Sequence, residues 1–244
     1  MLKRIVIAVI ALVVLLAGGG YGWLCWYGAA SQDPTFFESD IQAFEEEDRI
    51  RPLAPGTVLF TGSSSIRLWS TLEQDMAPLA VRNRGFGGSQ MSHVVHFAER
   101  IVGGGGPAAV VVYAGDNDLD VRTGKTAEVV RDDFQELVRV VNRLHPETRI
   151  YYLTIKPSRL RWDRWPEMER ANQMIQAFAE SDPRLAVIDI GPAILGPDGT
   201  PRDDVFLFDG LHLNATGYEG WTAIVRPVLL RDLGRGSSLP STDR

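Results

Sequence analysis

The sequence predicts an α/β protein, a three-layer α/β/α sandwich built on a central parallel sheet of five strands. Five short runs of branched apolar residues alternate with longer segments in which apolar residues recur at helical spacing. Continuous apolar runs are typical of strands buried on both faces, and regular alternation with helices is typical of a parallel sheet. The chain has 244 residues, of which 45% are hydrophobic and 23% charged, an ordinary composition for a globular domain with a full core.

The predicted elements follow one another at regular intervals. The five strands are predicted at residues 58–61, 80–84, 108–113, 149–155 and 185–190. Helical spacing of apolar residues predicts helices at 91–102, 126–144 and 166–179, and a last helix from about 215 to 233. Asn214 directly precedes the last helix, where its side chain can cap the first turn. Residues 235–244 are mainly small and polar, and we expect them to be disordered.

The first 30 residues differ in kind from the rest of the chain. Lys3 and Arg4 precede a run without charge, residues 5–26, which is long enough to span a bilayer core. Small residues at 28–30 suit cleavage of a signal peptide, whereas the length of the run favours an uncleaved signal anchor. Positive charge before the run and none directly after it favour a location of the rest of the chain outside the cytoplasm under both interpretations. We therefore expect residues 31–234 to form an exported domain, membrane-anchored through that segment if it is uncleaved and otherwise secreted.

Composition argues against several classes of function. The formal net charge is −6 and no basic cluster dominates the chain, so nucleic acid is not an expected partner. The single cysteine, Cys25, excludes an internal disulfide and a multi-cysteine metal site. His93 and His96 stand three residues apart, but no carboxylate or cysteine lies at a recognisable metal-binding spacing, so we assign them to helix packing or the surface. We expect activity without a metal or cofactor.

Candidate functional residues stand in the loops that follow the predicted strands. In a parallel α/β sheet, ligands bind beyond the carboxyl ends of the strands. Residues 62–64 (Gly-Ser-Ser) follow the first strand, the glycine-rich 85–89 the second, and 115–118 (Gly-Asp-Asn-Asp) the third. The loop before the last helix contains 209–212 (Asp-Gly-Leu-His). A serine, a glycine-rich main chain, an asparagine and an Asp/His pair are thus expected at one edge of the sheet.

These residue types are the ones that ester hydrolysis by serine requires. The hydroxyl needs a base, the base needs orientation, and the developing oxyanion needs donors already in place. His212 can be the base, and Asp209, three residues earlier, can bind one imidazole nitrogen while the other faces the serine. Gly88 can offer a main-chain N–H and Asn117 a side-chain amide. Each of these residues alone could merely serve a turn or a loop, but their occurrence together favours the catalytic interpretation.

In four blocks the sequence resembles the SGNH hydrolases, the family of GDSL esterases and lipases. The blocks appear in the family's order as FTGSSSIRLW, NRGFGGSQ, YAGDNDL and DGLHLN, within about residues 57–228. The resemblance implies a flavodoxin-like sandwich and substrates that range over lipid acyl esters, thioesters and O-acetylated carbohydrates. Position by position, the resemblance implies Ser64 as the nucleophile, Asp209 as the acid and His212 as the base. It implies that the oxyanion hole consists of the main-chain N–H groups of Ser64 and Gly88 and the side-chain amide of Asn117.

Three questions stay open at the level of sequence. The family's first block is usually Gly-Asp-Ser, whereas Ser63 replaces the aspartate here and Ser65 offers a further hydroxyl beside Ser64. Residues 156–170, rich in Trp and Arg, could line a substrate pocket or form a surface loop. The absence of an extended apolar lid favours short acyl groups, but an acyltransferase, or a noncatalytic carbohydrate-binding scaffold with the same fold, would carry the same blocks.

Overall fold

The computed structural model describes residues 30–234, and these residues contain one five-stranded sheet whose paired strands are all parallel. The strands are β1 (Val58–Gly62), β2 (Val81–Gly85), β3 (Ala109–Tyr113), β4 (Arg149–Leu153) and β5 (Leu185–Ile188). They lie in the order β2-β1-β3-β4-β5, which is the order of flavodoxin-like doubly wound sheets. The predicted three-layer α/β/α sandwich with a five-stranded parallel sheet is therefore confirmed.

Helices cover both faces of this sheet. In the described part of the chain they are α1 (Glu38–Ile50), α2 (Ser64–Arg67), α3 (Leu72–Asp75), α4 (Met91–His96), α5 (Ala98–Val102), α6 (Ala127–Leu144), α7 (Trp165–Ala179) and α8 (Ala215–Gly234). On one face, α6 packs against α4, α5 and α7, and on the other α8 packs near α3 and β5. Short 3-10 turns stand at Pro34–Phe37, Trp162–Arg164 and Gly191–Ala193.

Alternate residues of the strands supply the two halves of the core. In β4, Tyr151 belongs to the buried cluster that includes Trp221 of α8, whereas the ring of Tyr152 lies 5.1 Å from that of Phe134 in α6. All four side chains are at most 1% exposed. Because burying one large apolar side chain contributes about 1.5–3 kcal/mol, this alternation specifies the register of the sheet.

Two predicted strands end earlier in the structure than in the prediction. Strand β4 stops at Leu153 rather than at residue 155, because the side chain of Asn172 binds both the main-chain N–H and the carbonyl of Ile155, at 2.7 and 3.0 Å. Strand β5 stops at Ile188 rather than at residue 190. There the Thr154 hydroxyl donates to Asp189 and accepts from the main chain two residues beyond the strand, both at 3.1 Å. Side-chain hydrogen bonds thus replace the strand ladder where the chain turns toward its loops.

The helix predicted at 91–102 is divided into α4 and α5. Phe97 lies between them with a φ of −100° and a ψ of 7°, outside the helical range. Asn214 behaves as predicted, because its side-chain oxygen accepts the main-chain N–H of Gly217 in the first turn of α8, at 3.1 Å.

Part of the predicted organisation lies outside the described residues. The membrane-spanning segment at about 5–26 and the tail at 235–244 both do, and they stay predictions. Between residues 30 and 234, no helix combines the length and the apolar character needed to cross a bilayer. Residues 30–39 belong to one compact unit and residues 40–234 to another, and the predicted domain limits of 31 and 234 remain untested.

The end of β1 is the tightest point of the sheet edge. Gly62 has a φ of +123°, and a Cβ atom on it would lie 1.9 Å from the carbonyl oxygen of Tyr113 in β3. Only glycine fits this backbone and this approach. The next residue, Ser63, donates its N–H to the same Tyr113 carbonyl at 2.9 Å, and Phe86 after β2 donates to the carbonyl of Gly62 at 2.9 Å. The ends of three neighbouring strands are therefore tied together at one glycine.

We expect Gly62→Ala to lower the free energy of unfolding by about 3 kcal/mol or more, because the new methyl group meets a fixed carbonyl and the positive φ is unfavourable for alanine. Gly56→Ala is the matched control, since Gly56 also has a positive φ, +82°, but no neighbouring atom of the described residues lies within 4 Å of its Cβ position. Gly56→Ala should lower the free energy of unfolding by only about 1–2 kcal/mol. Urea unfolding of both variants makes the comparison, and equal losses would contradict the close approach at Gly62.

Candidate active site

The Ser63–Ser65 stretch leaves β1 and enters α2 at the carboxyl edge of the sheet. Ser63 has extended backbone angles, and Ser64 is the first residue of the helix. The first N–H groups of a helix have no acceptor within the helix, so the N–H of Ser64 is available to a ligand. Ser64 is partly exposed, whereas Ser63 and Ser65 are 0% and 1% exposed. Only the middle hydroxyl of the three is thus open to a substrate.

The three hydroxyls also differ in their hydrogen bonds. The Oγ atom of Ser64 lies 2.9 Å from Nε2 of His212, a residue 148 positions away along the chain. The Oγ atom of Ser65 points inward and accepts a hydrogen bond from Nζ of Lys156 at 3.1 Å. The Oγ atom of Ser63 is buried without a hydrogen-bond partner among residues 30–234. A base therefore faces Ser64 and neither of its neighbours.

His212 is oriented by Asp209 within one tight loop. Nδ1 of His212 lies 2.6 Å from Oδ2 of Asp209. The other carboxylate oxygen, Oδ1, accepts the main-chain N–H groups of Leu211 and His212 at 2.9 and 3.0 Å. Burial opposes ionisation of Asp209, but the hydrogen bonds from the imidazole and the two N–H groups outweigh it and lower the pKa of the carboxyl below its usual range. Asp209 is therefore a carboxylate held in place by three donors.

This geometry determines the tautomer of the imidazole. An ionised carboxylate only accepts hydrogen bonds, so the proton of neutral His212 lies on Nδ1, toward Asp209. The lone pair of Nε2 then faces the hydroxyl of Ser64, which donates to it. The arrangement can remove the proton of Ser64 while Asp209 stabilises the imidazolium that forms.

Asn117 and Gly88 meet beside the same carbonyl group. The side-chain amide of Asn117 donates one N–H to the carbonyl oxygen of Ser89 at 2.9 Å, and its second N–H remains for a ligand. Gly88, directly before Ser89, has a φ of +85° and is partly exposed. In the described part of the chain the N–H of Gly88 donates to no main-chain carbonyl and no side chain. The loop after β2 is joined to the end of β1 through Phe86 and Gly62, as described above.

The segment 156–170 supplies two residues that the sequence did not single out. Lys156 is 1% exposed, donates to the hydroxyl of Tyr113 at 2.9 Å, and lies 3.3 Å from Oδ2 of Asp116. Arg161, with 9% of its side chain exposed, donates to Oδ1 of Asn117 at 3.0 Å. The sequence signal that could have identified Lys156 is its position directly after a buried apolar run. A cation buried there needs a buried anion, such as Asp116.

Burial and pairing act in opposite directions on this buried group of charges. Burial opposes ionisation of Asp116, but the cations Lys156 and Arg161 outweigh it, so the pKa of Asp116 lies below its usual range. Burial also lowers the pKa of Lys156, and the negative charge of Asp116 counteracts this effect. The rest of the segment is more exposed: the rings of Trp162 and Trp165 stack with an interplanar angle of 12°. The segment is therefore partly a wall of the site and partly surface.

The histidines that were considered as metal ligands lie elsewhere. His93 is buried and accepts the main-chain N–H of Gln90 through Nδ1 at 3.1 Å, while His96 is exposed and its ring contacts that of Phe97. Across residues 30–234, no three His, Cys, Asp or Glu side chains are grouped as a metal ion would require.

Known proteins share both the sequence pattern and the fold. Platelet-activating factor acetylhydrolase IB subunit alpha1 of Rattus norvegicus is 30% identical over 197 residues, which are 76% of this chain and 82% of that protein. The Homo sapiens subunit is 30% identical over 194 residues, 75% of this chain and 80% of that protein.

Two solved structures extend the comparison to the fold. A Streptococcus pneumonia protein named for platelet activating factor superposes with a TM-score of 0.71 at 19% identity, covering 90% of this chain and 99% of its own. A GDSL-like lipase of Bacteroides thetaiotaomicron superposes with a TM-score of 0.64 at 17% identity, covering 79% and 98%. At these identities the superpositions show the fold alone.

The family itself is shown by a match that covers the whole sheet and all four candidate loops. The model of the GDSL-like Lipase/Acylhydrolase family matches residues 56–219, from just before β1 into α8. This range contains every residue of the candidate site, and the relatives at 30% identity cover about three quarters of the chain. The chain therefore belongs to the GDSL-like lipase/acylhydrolase family, the SGNH hydrolases.

Proposed function

We propose that this protein is an exported serine esterase that hydrolyses acyl esters with Ser64 as the nucleophile. The observation that carries the proposal is the continuous hydrogen-bonded chain from Ser64 through His212 to Asp209, with distances of 2.9 and 2.6 Å. These distances lie in the range required of a nucleophile, a base and an orienting acid. Membership of an acylhydrolase family supports ester hydrolysis as the reaction.

The reaction proceeds through an acyl-enzyme. Oγ of Ser64 attacks the acyl carbonyl carbon and its proton passes to Nε2 of His212, while Asp209 stabilises the imidazolium. The carbonyl oxygen becomes an oxyanion and receives the N–H groups of Ser64, Gly88 and Asn117. One such donor contributes about 2.7–4 kcal/mol to stabilising the transition state. The alcohol leaves with the proton from His212, and water, activated by the same imidazole, releases the acid and restores Ser64.

The surroundings of the site support a substrate with an apolar portion. Leu160, Leu207 and Phe208 have exposures of 58%, 42% and 102%. Leu207 and Phe208 directly precede Asp209, and Leu160 donates its N–H to the carbonyl of Gly210 at 3.0 Å. These apolar side chains stand beside the base and can contact an apolar part of the ester. The relatives named acetylhydrolases support a small acyl group.

Labelling with a fluorophosphonate probe, located by mass spectrometry, tests the nucleophile directly. We expect the label on Ser64, with hydrolysis of p-nitrophenyl acetate faster than that of long-chain p-nitrophenyl esters. Ser64→Ala should lower kcat by at least about 10⁴-fold, because the nucleophile is lost.

Ser63→Ala and Ser65→Ala are the matched controls for the nucleophile. They should stay within about tenfold of the parent kcat. The Ser63 hydroxyl has no hydrogen-bond partner among residues 30–234, and Lys156 keeps its contacts with Tyr113 and Asp116 when Ser65 is replaced. A folded protein that neither labels nor turns over any ester would refute the esterase proposal and favour a binding scaffold.

The roles of His212 and Asp209 predict unequal losses. His212→Ala removes the base and should lower kcat by about 10⁶-fold, whereas Asp209→Asn removes the orientation of the ring and should lower it by about 10⁴-fold. Steady-state kinetics with p-nitrophenyl acetate gives both values, with thermal unfolding as the control for folding. Equal losses would show that the carboxylate is as indispensable as the base.

The proposal of export concerns the apolar run at residues 5–26 and is tested in cells. A full chain with a carboxyl-terminal tag, expressed in a Gram-negative host, should become accessible to protease once the outer membrane is opened. A variant that lacks residues 2–29 is the control and should stay protected, because the targeting segment is gone. Protection of the full chain in intact spheroplasts would contradict export, and release by sodium carbonate would contradict a membrane anchor.

A further inference from the structure

The side-chain amide of Asn117 can serve an oxyanion only in one of its two orientations. Its carbonyl and NH₂ ends have nearly the same shape, so a rotation of 180° about χ2 exchanges them without a change in packing. In one orientation an N–H group faces the substrate oxygen and stabilises its negative charge. In the other orientation a carbonyl oxygen faces it and repels it. The rate therefore depends on which neighbours select the orientation.

Two neighbours of opposite kind make this selection. On one side, Nη2 of Arg161 lies 3.0 Å from Oδ1 of Asn117, and a guanidinium can only donate. On the other side, the carbonyl oxygen of Ser89 lies 2.9 Å from Nδ2, and a carbonyl can only accept. Rotation of the amide would place NH₂ against the guanidinium and oxygen against oxygen. Both contacts would then be repulsive.

Arg161 is itself held in place, so it can hold Asn117. Its side chain is 9% exposed, and its guanidinium lies 3.5 Å from Oδ2 of Asp116 and 3.4 Å from Oδ2 of Asp120. The backbone on either side is anchored as well. Leu160 donates its N–H to the carbonyl of Gly210 at 3.0 Å, and the carbonyl of Arg161 accepts the main-chain N–H of Arg164 at 2.9 Å. A buried guanidinium within ion-pair distance of two carboxylates loses little further freedom when it binds the amide.

The charge of Arg161 also acts in the direction that catalysis needs. A hydrogen bond from a cation to the amide oxygen polarises the amide, which makes the N–H groups on its other end stronger donors. A second buried cation, Lys156, binds Ser65, the residue that follows the nucleophile, at 3.1 Å. Positive charge thus lies behind both the amide and the turn that presents Ser64, where it favours a developing oxyanion.

We infer that Arg161 is a positioning residue for the reaction, which fixes and polarises the Asn117 amide so that its free N–H faces the oxyanion. The inference rests on the proposed function, because it acts through the oxyanion hole of that esterase. It assigns a role to the segment 156–170 that neither the family blocks nor the sequence pattern provided.

A double-mutant cycle between Arg161→Met and Asn117→Ala tests the inference in the full chain. Asn117→Ala should lower kcat by about 10²–10³-fold, as loss of one oxyanion donor does. Arg161→Met alone should lower kcat for p-nitrophenyl acetate by about 10–100-fold with KM changed less than about twofold, because the amide is no longer held or polarised. In the double variant kcat should equal that of Asn117→Ala within about threefold, since a residue that acts through the amide adds nothing once the amide is absent.

Arg161→Lys provides the rescue. Lysine keeps a charged donor of similar length without the planar fork, so we expect about half or more of the lost activity, on a logarithmic scale, to return. If Arg161→Met does not fold, Arg161→Lys replaces it in the double-mutant cycle. Its loss of kcat should be smaller, and it should again vanish when Arg161→Lys is combined with Asn117→Ala.

Arg164→Met is the matched structural control. Arg164 belongs to the same segment, and its Nε donates to the main-chain carbonyl of Leu119, two residues after Asn117, but this hydrogen bond reaches no side chain of the candidate site. It should lower Tm while leaving kcat within about threefold in both backgrounds.

The outcomes separate failure of the inference from failure of the proposed function. Independent, multiplying losses for Arg161→Met and Asn117→Ala would overturn the inference, and so would a full kcat in Arg161→Met when Asn117→Ala is impaired. In both cases the esterase proposal would stand. An unimpaired Asn117→Ala would remove Asn117 from the oxyanion hole, and the inference would fall with that part of the proposed function.

Discussion

The contact between Gly62 and the carbonyl of Tyr113 is the constraint on which the site depends. At this point the chain leaves a buried central strand and must reverse within two residues to present Ser64 at the edge of the sheet. The turn is possible because no side chain separates Gly62 from β3, and because the same carbonyl then accepts the N–H of Ser63. A larger residue would push the serine turn away from the loop that carries His212, whose Nε2 lies 2.9 Å from Ser64.

The parallel sheet places three parts of the candidate site at the ends of three different strands. The serine follows β1, the glycine-rich main chain follows β2, and the amide of Asn117 follows β3, while Asp209 and His212 come from the loop before α8. Ser64 and His212, 148 positions apart along the chain, meet because the loop before α8 reaches the edge at which the carboxyl ends of the parallel strands lie. The rigid strands fix where each loop begins, and the short loops set the final positions of the candidate site side chains.

Beneath this edge lies a buried group of charges that an ordinary core would not contain. Asp116 accepts from Tyr113 at 3.2 Å and lies within 3.5 Å of both Lys156 and Arg161. Removing charges from water costs free energy that pairing only partly offsets, so such a group is weak evidence for stability. This group of charges contacts Ser65 through Lys156 and Asn117 through Arg161. It therefore affects the geometry and the electrostatic field of the candidate site.

The sequence by itself determined the fold class and the family, and through the family resemblance it predicted the residues of the candidate site, Ser64 among them. Apolar runs of strand length specify buried parallel strands, and short motifs with fixed chemistry stand directly after them. Which of three adjacent serines faces the base was decided only by the tertiary structure, because that depends on the turn at Gly62 and on a histidine 148 residues away. The ends of β4 and β5 and the break at Phe97 likewise depend on side chains from other elements, such as Asn172, that compete for main-chain groups. The position of Lys156 directly after a buried apolar run was a weak signal of a buried cation, but the position of Arg161 could not be read from local pattern. A cation in a polar segment looks like surface until the fold places a buried carboxylate beside it.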